Sequence, residues 1–430
     1  MGIDAVTGYY NRRGPLTVCN QKSGNFSQSI TGNVIPSHCS LSVCILLPVI
    51  VAGTLVYGSR CLISRPFICL DKPIHPEDFK ITVIIPSLGG GERLSMCLES
   101  LAAYLPSNVA KVIVILQQCA ADQIRETRDH WCHSAELLFL PMEGNPSKVR
   151  AIRLGFTHVK TDLILLIDSD VCATAHIHRI LTLCNDQDVA FGMLLPKEVP
   201  SQTMLDRVVK ADKVVSHAVW RLGRFVLGLW PNIPGQCYLI RSKVLRRVYD
   251  GGMGHLDDLS VTVNLAALRA RVFMVPVVVG YEVGRCTWMG LLSQRIRWSL
   301  GLWQSFCNLL HIKNGMARGA ACFLVHTWLY SGWPITTMLL SIYLLCRGQK
   351  ALACECLFVF IISWTTLVGF GNKVFSRIER TFVKIPIVSS AIPAAFIILI
   401  SQSLGFMAAP FFVISAIFKP FVFHRLLYKR

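Results

Sequence analysis

The 430-residue chain has few charged residues, and acids are especially scarce. Charged residues make up 16% of the chain, whereas about 25% is usual in soluble proteins. Lys and Arg number 43 and Asp and Glu 25, so the formal net charge is +18. This charge could serve nucleic-acid binding or form a basic rim around membrane helices. Long apolar runs favour the second explanation, a basic rim around membrane helices. We therefore expect contacts with membrane lipids and no nucleic-acid partner.

The cysteines lack the spacing of a metal site or a disulfide framework. None of the 17 cysteines forms a Cys-x-x-Cys pair, and the nearest approach to one is Cys354-Glu355-Cys356. Many of the others lie in apolar stretches, where cysteine behaves as a small hydrophobic residue. The pattern therefore indicates reduced thiols.

Composition divides the chain into membrane-like and soluble segments. Residues 1–40 are polar without periodicity, which predicts a flexible N-terminal tail. Apolar runs that can cross a bilayer core of about 30 Å predict a transmembrane helix at 41–58. A region of about four more helices follows at 319–418, before a basic tail at 419–430. Residues 80–287 have the composition of a soluble domain.

Basic residues mark the segments that we expect to face the cytosol. They follow the third apolar run and end the chain, as Lys373, Arg377, Arg380, Lys384, Lys419, Arg425, Lys429 and Arg430. Loops with an excess of Lys and Arg stay on the cytosolic side. We therefore predict an integral, multi-pass protein of the plasma or inner membrane, with five helices, an outer N-terminus and a cytosolic soluble domain.

Short β-rich apolar runs alternate with helical patterns in the soluble domain. The runs are Ile81–Pro86, Lys111–Leu116, Leu163–Ile167 and Val272–Val279. Strands separated by helices are typical of βαβ units. The pattern predicts an α/β fold with a mainly parallel sheet.

The strongest local signal is Asp168-Ser169-Asp170, which directly follows the apolar run Leu163–Ile167. Open α/β sheets bind ligands at the carboxyl ends of their strands. Because side chains alternate along an extended backbone, we expect both carboxylates to point the same way. Two such oxygen ligands suit Mg²⁺ or Mn²⁺ that holds a diphosphate. Asp-x-Asp also occurs in ordinary loops, so its place after a buried strand is what favours a metal site.

A second acidic pair, Asp257-Asp258, precedes a helical run that ends at Arg271. Acids at the start of a helix can be caps that the helix dipole favours. A carboxylate there can also act as a general base that takes a proton from an attacking hydroxyl. The local sequence leaves both interpretations open.

The segment Gln294-Arg295-Ile296-Arg297-Trp298 lies in a predicted amphipathic helix at 288–312. Gln294 and Arg297 are three residues apart and share a face of that helix. An Arg fork can hold a diphosphate leaving group, and a Trp ring can stack on a sugar. A helix at the membrane interface would show the same residues facing lipid headgroups, and both interpretations can hold together.

The order of these motifs resembles that of a known family. The motifs are Ile81–Pro86, Ser147-Lys148, Asp168-Ser169-Asp170, Pro234–Cys237, Asp257-Asp258 and Gln294–Trp298. Over about residues 80–310 the chain resembles the membrane-integrated inverting glycosyltransferases of family two, such as cellulose, hyaluronan and type-three capsule synthases. Some features are similar to the ceramide-glucosyltransferase-like family. The resemblance implies a Rossmann-like glycosyltransferase A-type domain with a mainly parallel sheet, plus an α-helical transmembrane region.

On the donor side, the resemblance implies that Asp168 and Asp170 bind Mg²⁺ or Mn²⁺ together with a nucleotide-sugar. Lys148 would contact the same donor. Gln294 and Arg297 would lie close to its diphosphate. The expected donor is a UDP-sugar.

On the acceptor side, the resemblance implies that Asp258 is the base, with Asp257 beside it. The residues expected near the acceptor are Gly235, Gln236, Cys237 and Trp298. Family members that invert need no covalent nucleophile, so none is expected here.

The chain departs from the family pattern after the second strand. Members usually carry an Asp there that contacts the uracil base, whereas this strand runs into Gln117–Asp122. Gln118 and Asp122 are the candidates for that donor contact. The ceramide-type branch also has a rearranged segment at this place, which directs the question of the acceptor toward lipids.

Three functions remain at this point. The first is a metal-dependent, inverting hexosyltransferase that extends a cell-surface or extracellular polysaccharide. The second adds one sugar to a membrane lipid, as ceramide- or hopanoid-glycosyltransferases do. The third is a non-catalytic membrane scaffold, against which the complete set of acids and the Gln-x-x-Arg-Trp motif count. The partners expected are therefore a nucleotide-sugar, a growing polysaccharide or lipid acceptor, and membrane lipids.

Overall fold

An eight-stranded sheet forms the centre of the part of the chain that the computed structural model describes. The described residues are 79–117, 131–182, 187–197, 203–226, 230, 232–250, 257–283, 287–309, 315–327, 332–379, 392–400 and 403. They all belong to one of two units of the chain, Val43–Arg430; the other is Met1–Ser42. The tail predicted at 1–40, the helix at 41–58 and the basic tail at 419–430 lie outside the described residues.

The strands follow the order β3-β2-β1-β4-β7-β6-β8-β5 across the sheet. They are β1 (Ile81–Leu88), β2 (Val109–Gln117), β3 (Glu136–Met142), β4 (Leu163–Ile167), β5 (Val171–Ala173), β6 (Val189–Pro196), β7 (Cys237–Arg241) and β8 (Val272–Glu282). Strands β1 to β4 pair in parallel, and β6 pairs in parallel with β8. Since β7 is antiparallel to both β4 and β6, only β7 and the short β5 run against the other described strands. The prediction of an α/β fold with a mainly parallel sheet is confirmed.

The central strands are apolar on both faces because helices cover both sides of the sheet. Along β4, Ile164 and Leu166 enter one hydrophobic core, whereas Leu163, Leu165 and Ile167 enter the other. This two-residue alternation follows from the pleat of the strand. The buried strand Leu163–Ile167 therefore has a fixed register, and so has the residue that follows it.

Helices connect the strands and continue beyond the sheet. They are α1 (Glu92–Tyr104), α2 (Lys148–Thr157), α3 (Ile177–Thr182), α4 (Met204–Val214), α5 (Leu222–Val226), α6 (Ser242–Asp250), α7 (Asp257–Ala267), α8 (Trp288–Leu309), α9 (Met316–Thr327), α10 (Trp333–Cys346) and α11 (Lys350–Glu379). A π-helical segment, Val215–Arg221, joins α4 to α5. Residues 392–400 are also helical.

One helix among the described residues is long and apolar enough to cross a membrane. Its span is Lys350–Val374, with a mean hydropathy of 2.0, and α10 is a shorter apolar helix. A buried core helix of a soluble protein meets the same criteria. The arrangement of five membrane helices stays a prediction, and much of it lies outside the described residues.

The apolar helix α11 packs directly against the α/β domain. A Cβ atom added to Gly371 would lie 2.5 Å from Val214 Cγ1 in α4. Trp364 and Phe360 of α11 belong to the same core as residues of the sheet. Elsewhere on this helix Phe358 is 62% exposed. The helix therefore presents one face to the domain and leaves large apolar side chains uncovered on another.

Gly192 marks the closest approach of β6 to β8. A Cβ atom there would lie 2.3 Å from Val279 Cγ1 and 3.1 Å from the Val277 carbonyl oxygen. We expect Gly192→Ala to lower the free energy of unfolding by about 1–3 kcal/mol, because the packed strands must separate. Chemical unfolding of the purified chain measures this. Gly290→Ala is the control, since only the Thr287 hydroxyl lies near its added Cβ atom; equal losses in both variants would contradict the packing.

Candidate active site

The candidate site lies where parallel strands end at one edge of the sheet. Strands β1, β2, β4 and β8 end there, and the antiparallel strand β7 begins there. Leu88 pairs with Gln117, and Ile167 pairs with Cys237. The topology thus collects the loops after several strands at one place, which is where open α/β sheets bind ligands.

Lys148 connects three of these loops. Its Nζ lies 2.7 Å from Oδ1 and 2.9 Å from Oδ2 of Asp168, and it donates to the Gly235 carbonyl oxygen at 2.7 Å. The residue before it, Ser147, caps α2 and donates its backbone N–H to Gln117 Oε1 at 2.6 Å. The start of α2 is therefore held against the end of β2, and Lys148 is fixed over Asp168.

Asp168-Ser169-Asp170 forms a turn. The Asp168 N–H donates to the Gln236 carbonyl oxygen at 2.8 Å, and Val171 N–H donates back to the Asp168 carbonyl oxygen at 3.1 Å. The sequence analysis expected both carboxylates to point the same way because side chains alternate along a strand. That reasoning is wrong here, because the backbone is extended only as far as Ile167. The turn and β7, not a pleat, determine where these acids lie.

Asp170 lies close to an acid that the sequence analysis did not single out, Glu282 at the end of β8. Burial, and then the charge of Glu282, raise the pKa of Asp170, while nearby basic residues including Lys148 and Lys213 counteract this. Glu282 Oε1 is 2.6 Å from Lys213 Nζ, and both side chains are largely buried. A carboxylate that follows a buried apolar run was the signal available for Glu282, as it was for Asp168.

These carboxylates fit a divalent cation that also binds a diphosphate. Burial first, and then the charge of Glu282, oppose the ionised form of Asp170, and a bound cation would favour it. Within the described residues, no three His, Cys, Asp or Glu side chains cluster tightly enough to hold a metal by themselves. Mg²⁺ sites beside phosphates often use only one or two carboxylates, with the remaining ligands from substrate and water. Asp168 and Asp170 match that donor set.

The predicted acceptor loop adjoins this site but does not contribute all its side chains. Gly235 and Gln236 offer the carbonyl oxygens that bind Lys148 and Asp168. The Cys237 side chain is fully buried in the core beneath the sheet, and burial raises the pKa of its thiol to about 12. The first residue of β7 points its side chain into the interior, so Cys237 could adjoin an acceptor only through its backbone.

Asp258 lies at the start of α7 and is half-buried. Its Oδ1 accepts the N–H of the next residue, Leu259, at 2.8 Å. The Thr262 hydroxyl donates to the Asp258 carbonyl oxygen at 2.8 Å and accepts the Ile233 N–H at 3.0 Å. These bonds attach the start of α7 to the loop that leads into Gly235. Asp257 belongs to α7, and its side chain lies outside the described set.

Helix α8 uses its two arginines differently. Arg295 is only 4% exposed and forms an ion pair with Asp212 of α4. Its guanidinium lies 4.5 Å from the centroid of the Trp298 ring. Arg297, predicted beside the diphosphate, is exposed, and Gln294 is half-buried. The residue that anchors the motif to the domain is therefore Arg295, which the sequence analysis passed over.

Two further places bear on the donor. Gln118 and Asp122, the candidates for a base contact, lie outside the described residues. Gly89 and Gly91 between β1 and α1 adopt positive φ angles of 83° and 88°, which favour glycine. A Cβ atom at either would meet nothing within 4 Å. The backbone conformation, and not the space around it, therefore favours glycine at these two positions.

Comparison with known proteins gives the family. Residues 76–301, more than half of the chain, match the family described as Glycosyltransferase like family 2. The chain belongs to this family. The glycosyltransferase assignment implied by the sequence motifs is thereby confirmed. None of the curated proteins matches the chain.

Solved structures are similar to this chain to different extents. The mannosyltransferase PcManGT from Pyrobaculum calidifontis, in complex with GDP-Man and Mn²⁺, is 14% identical, with a TM-score of 0.52 over 85% of this chain and 98% of that one. At this identity the likeness to the mannosyltransferase shows the fold alone. TarS 1–349 from S. aureus with UDP-GlcNAc is 14% identical, with a TM-score of 0.42 over 77% and 91%. Glucosyl-3-phosphoglycerate synthase from Mycobacterium tuberculosis with Mn²⁺, UDP and phosphoglyceric acid is 13% identical, with a TM-score of 0.39 over 56% and 84%.

The ion pair between Arg295 and Asp212 gives a test of how α8 is held. Breaking a buried pair leaves one uncompensated charge, so we expect Arg295→Gln to lower the free energy of unfolding by about 3–5 kcal/mol. Chemical unfolding of Arg295→Gln, Asp212→Asn and the double variant measures the coupling between the two residues. Arg297→Gln, at an exposed position of the same helix, should unfold like the wild type. Additive losses in the double variant would show that the pair contributes nothing.

Proposed function

We propose that this glycosyltransferase transfers a sugar from a nucleotide-sugar, in the first place a UDP-sugar, to a hydroxyl acceptor with inversion. The observation that carries the proposal is the meeting of Lys148, Asp168 and Gly235 at the carboxyl edge of the sheet. A lysine between a carboxylate and a loop carbonyl suits a site where a diphosphate arrives with a cation. The fold shared with sugar transferases supports this.

Asp168 and Asp170 would hold the divalent cation, Mg²⁺ or Mn²⁺. When bound, such a cation neutralises the charge that develops on a nucleoside diphosphate as it leaves. Lys148 would contribute a further positive charge on the same side. Mn²⁺ is present in the mannosyltransferase complex with GDP-Man, and it is the first metal to test here.

Asp258 would act as the general base. Inversion by direct attack requires that the acceptor hydroxyl lose its proton as it reaches the anomeric carbon, and a carboxylate can take it. The bonds from Thr262 to Asp258 and Ile233 link this acid to the loop of Gly235. Asp257 is its neighbour in α7. Gly235 and Gln236 would line the path of the acceptor.

Residues of helix α8, which is not part of the sheet, would complete the donor site. Gln294 and Arg297 would approach the diphosphate, and Trp298 would offer a ring face to a sugar. The cation–π contact with Arg295 fixes the ring of Trp298, and the Asp212 ion pair fixes Arg295 in turn. In this proposal Arg295 is a positioning residue.

The acceptor that we propose first is a growing cell-surface or extracellular polysaccharide. A membrane lipid is the second candidate, which a specific observation favours: the apolar helix α11 packs on α4 and leaves large apolar side chains exposed. Both acceptors suit a multi-pass protein of the plasma or inner membrane with a cytosolic catalytic domain. Membrane lipids would then surround α10 and α11.

Product analysis tests the proposal. Membranes that contain the chain are incubated with radiolabelled UDP-sugars and Mn²⁺ or Mg²⁺, and the products are separated by gel filtration and by solvent extraction. We expect metal-dependent transfer from at least one donor. Label retained on gel filtration indicates a polysaccharide, whereas label in organic solvent indicates a glycolipid. Nucleotide release from no donor, with either metal, would contradict the proposal.

Asp258→Asn tests the base. We expect kcat to fall by about 10²–10⁴-fold, because the amide cannot accept the proton, while donor binding remains. Initial rates and equilibrium binding of the labelled donor measure the two effects. Asp162→Asn, at an exposed position, is the matched control and should keep the wild-type rate. Loss of donor binding in Asp258→Asn would assign the residue a structural role instead.

A further inference from the structure

Two arginines lie in the interior of the protein beside the acceptor loop. Arg221 ends the π-helical segment and is 6% exposed, and Arg224 of α5 is 1% exposed. π-Helical turns are rare and frequently occur at functional sites. The proposed chemistry at Asp168 and Asp258 uses neither arginine.

Neutral groups alone contact the two guanidinium groups among the described residues. Arg221 donates from Nε to the Asn232 carbonyl oxygen at 2.8 Å and from Nη1 to Ser216 Oγ at 2.6 Å. Arg224 donates from Nη2 to Cys322 Sγ of α9 at 3.3 Å. Within the described part of the chain, Arg224 Nε and Nη1 have no hydrogen-bond partner. No described carboxylate forms an ion pair with either arginine.

Among the described residues, the titratable groups besides Cys322 that act on or beside the two arginines are His217, Lys213 and His326. His217 of the π-helical segment is fully buried, and burial, followed by the charges of Arg221 and Lys213, holds its pKa well below the ordinary value. Lys213 is already paired with Glu282 at 2.6 Å. His326 of α9 interacts electrostatically with the positive charges of Arg224 and Arg221. The surroundings of the two arginines are therefore neutral or positive.

Burial of these charges calls for compensation. A histidine can lose its proton, but an arginine stays charged at any pH that the protein experiences. A buried charge without a partner costs several kcal/mol. Arg224 Nε and Nη1 are buried N–H donors without an acceptor in the described part of the chain, and phosphate or carboxylate oxygens form the strongest hydrogen bonds with such charged donors. An anion is the partner that this chemistry lacks.

We propose that Arg224 and Arg221 bind a phosphate group at a site between the π-helical segment, α5 and α9. The site is separate from the one at Asp168, although a short loop connects the two. Arg221 binds the carbonyl oxygen of Asn232, and Lys148 binds that of Gly235, three residues later. A phosphate held by the arginines would thus adjoin the acceptor loop. Its binding does not depend on the proposed sugar transfer.

Thermal unfolding of the full chain in detergent tests the site, with inorganic phosphate as the probe at constant ionic strength. We expect a saturable rise of the unfolding midpoint in the wild type. In Arg224→Gln the half-saturating concentration should rise by about tenfold or more, since charge-assisted hydrogen bonds are lost. Arg153→Gln, at an exposed position, is the matched control and should respond like the wild type. No rise in the wild type, or an equal rise in Arg224→Gln, would overturn the proposal.

Phosphate could also bind at the donor site, and a second variant separates the two. Lys148→Gln should keep the phosphate response, because Lys148 contacts Asp168 and not the arginines. Loss of the response in Lys148→Gln with its retention in Arg224→Gln would place the phosphate at the donor site and overturn the proposal. Failure of all sugar transfer would leave the expected response intact, so the two proposals fail separately.

The source of the phosphate group is distinguished by dodecyl phosphate, with dodecanol as its uncharged match. Half-saturation by dodecyl phosphate well below that of inorganic phosphate supports the site with a lipid headgroup as its ligand. Equal half-saturation supports it with a free phosphate as the ligand. An equal effect of dodecanol and dodecyl phosphate, with none from inorganic phosphate, overturns it.

Hydrogen exchange on the wild type keeps the test valid if Arg224→Gln does not fold. Phosphate should slow amide exchange in residues 215–226, which carry both arginines. Exchange in these residues that is unchanged by saturating phosphate would overturn the proposal without any variant.

Discussion

The contact between Lys148 and Asp168 is the interaction on which the candidate site depends. The Nζ atom of Lys148 lies within 3 Å of both carboxylate oxygens of Asp168 and of the Gly235 carbonyl oxygen. It therefore joins the start of α2, the end of β4 and the loop before β7. Each of these segments is held in place by an adjoining buried strand. The lysine ammonium therefore holds the Asp168 carboxylate in place beside the loop before β7.

The parallel sheet explains why residues far apart in the chain reach this edge together. Asp168 and Glu282 each follow an apolar strand, and the strands run the same way although they are separated by β7 and β6. All five residues of β4 are buried, and Asp168, the residue that follows them, is partly exposed. The same packing brings Lys213 to Glu282 and Arg295 to Asp212. Paired charges of α4 thus hold the helix between the sheet and α8.

Local patterns in the sequence were sufficient for part of this account. The runs that begin at Ile81, Lys111, Leu163 and Val272 all became strands, because β-branched residues in an apolar run fit a strand covered on both sides. The other strands, β3, β5, β6 and β7, were not among the runs named from the sequence. Strand β6 contains Gly192 and ends at a proline, and the first residue of β7 was assigned to a loop. The motif order indicated the family, which the match over residues 76–301 confirms.

Other features depend on contacts that no local pattern encodes. Arg295 and Arg297 are both compatible with a functional motif on a helix, and only the position of Asp212 on α4 decides which is buried. The turn at Asp168 depends on Gln236, and the pairing of Lys213 with Glu282 joins residues 69 positions apart. The unpaired Nε and Nη1 donors of Arg224 became apparent only once α5 and α9 were in place. Tertiary packing decided each of these.

The central claim is that Lys148, Asp168 and Asp170 form the binding site for a metal and a nucleoside diphosphate. An experimental structure of the full chain with Mn²⁺ and UDP tests it most directly, through the anomalous scattering of the manganese. The account predicts the manganese signal at the Asp168 and Asp170 carboxylates, with the diphosphate next to Lys148. A manganese and diphosphate bound elsewhere, with Lys148 still closed on Asp168, would contradict it.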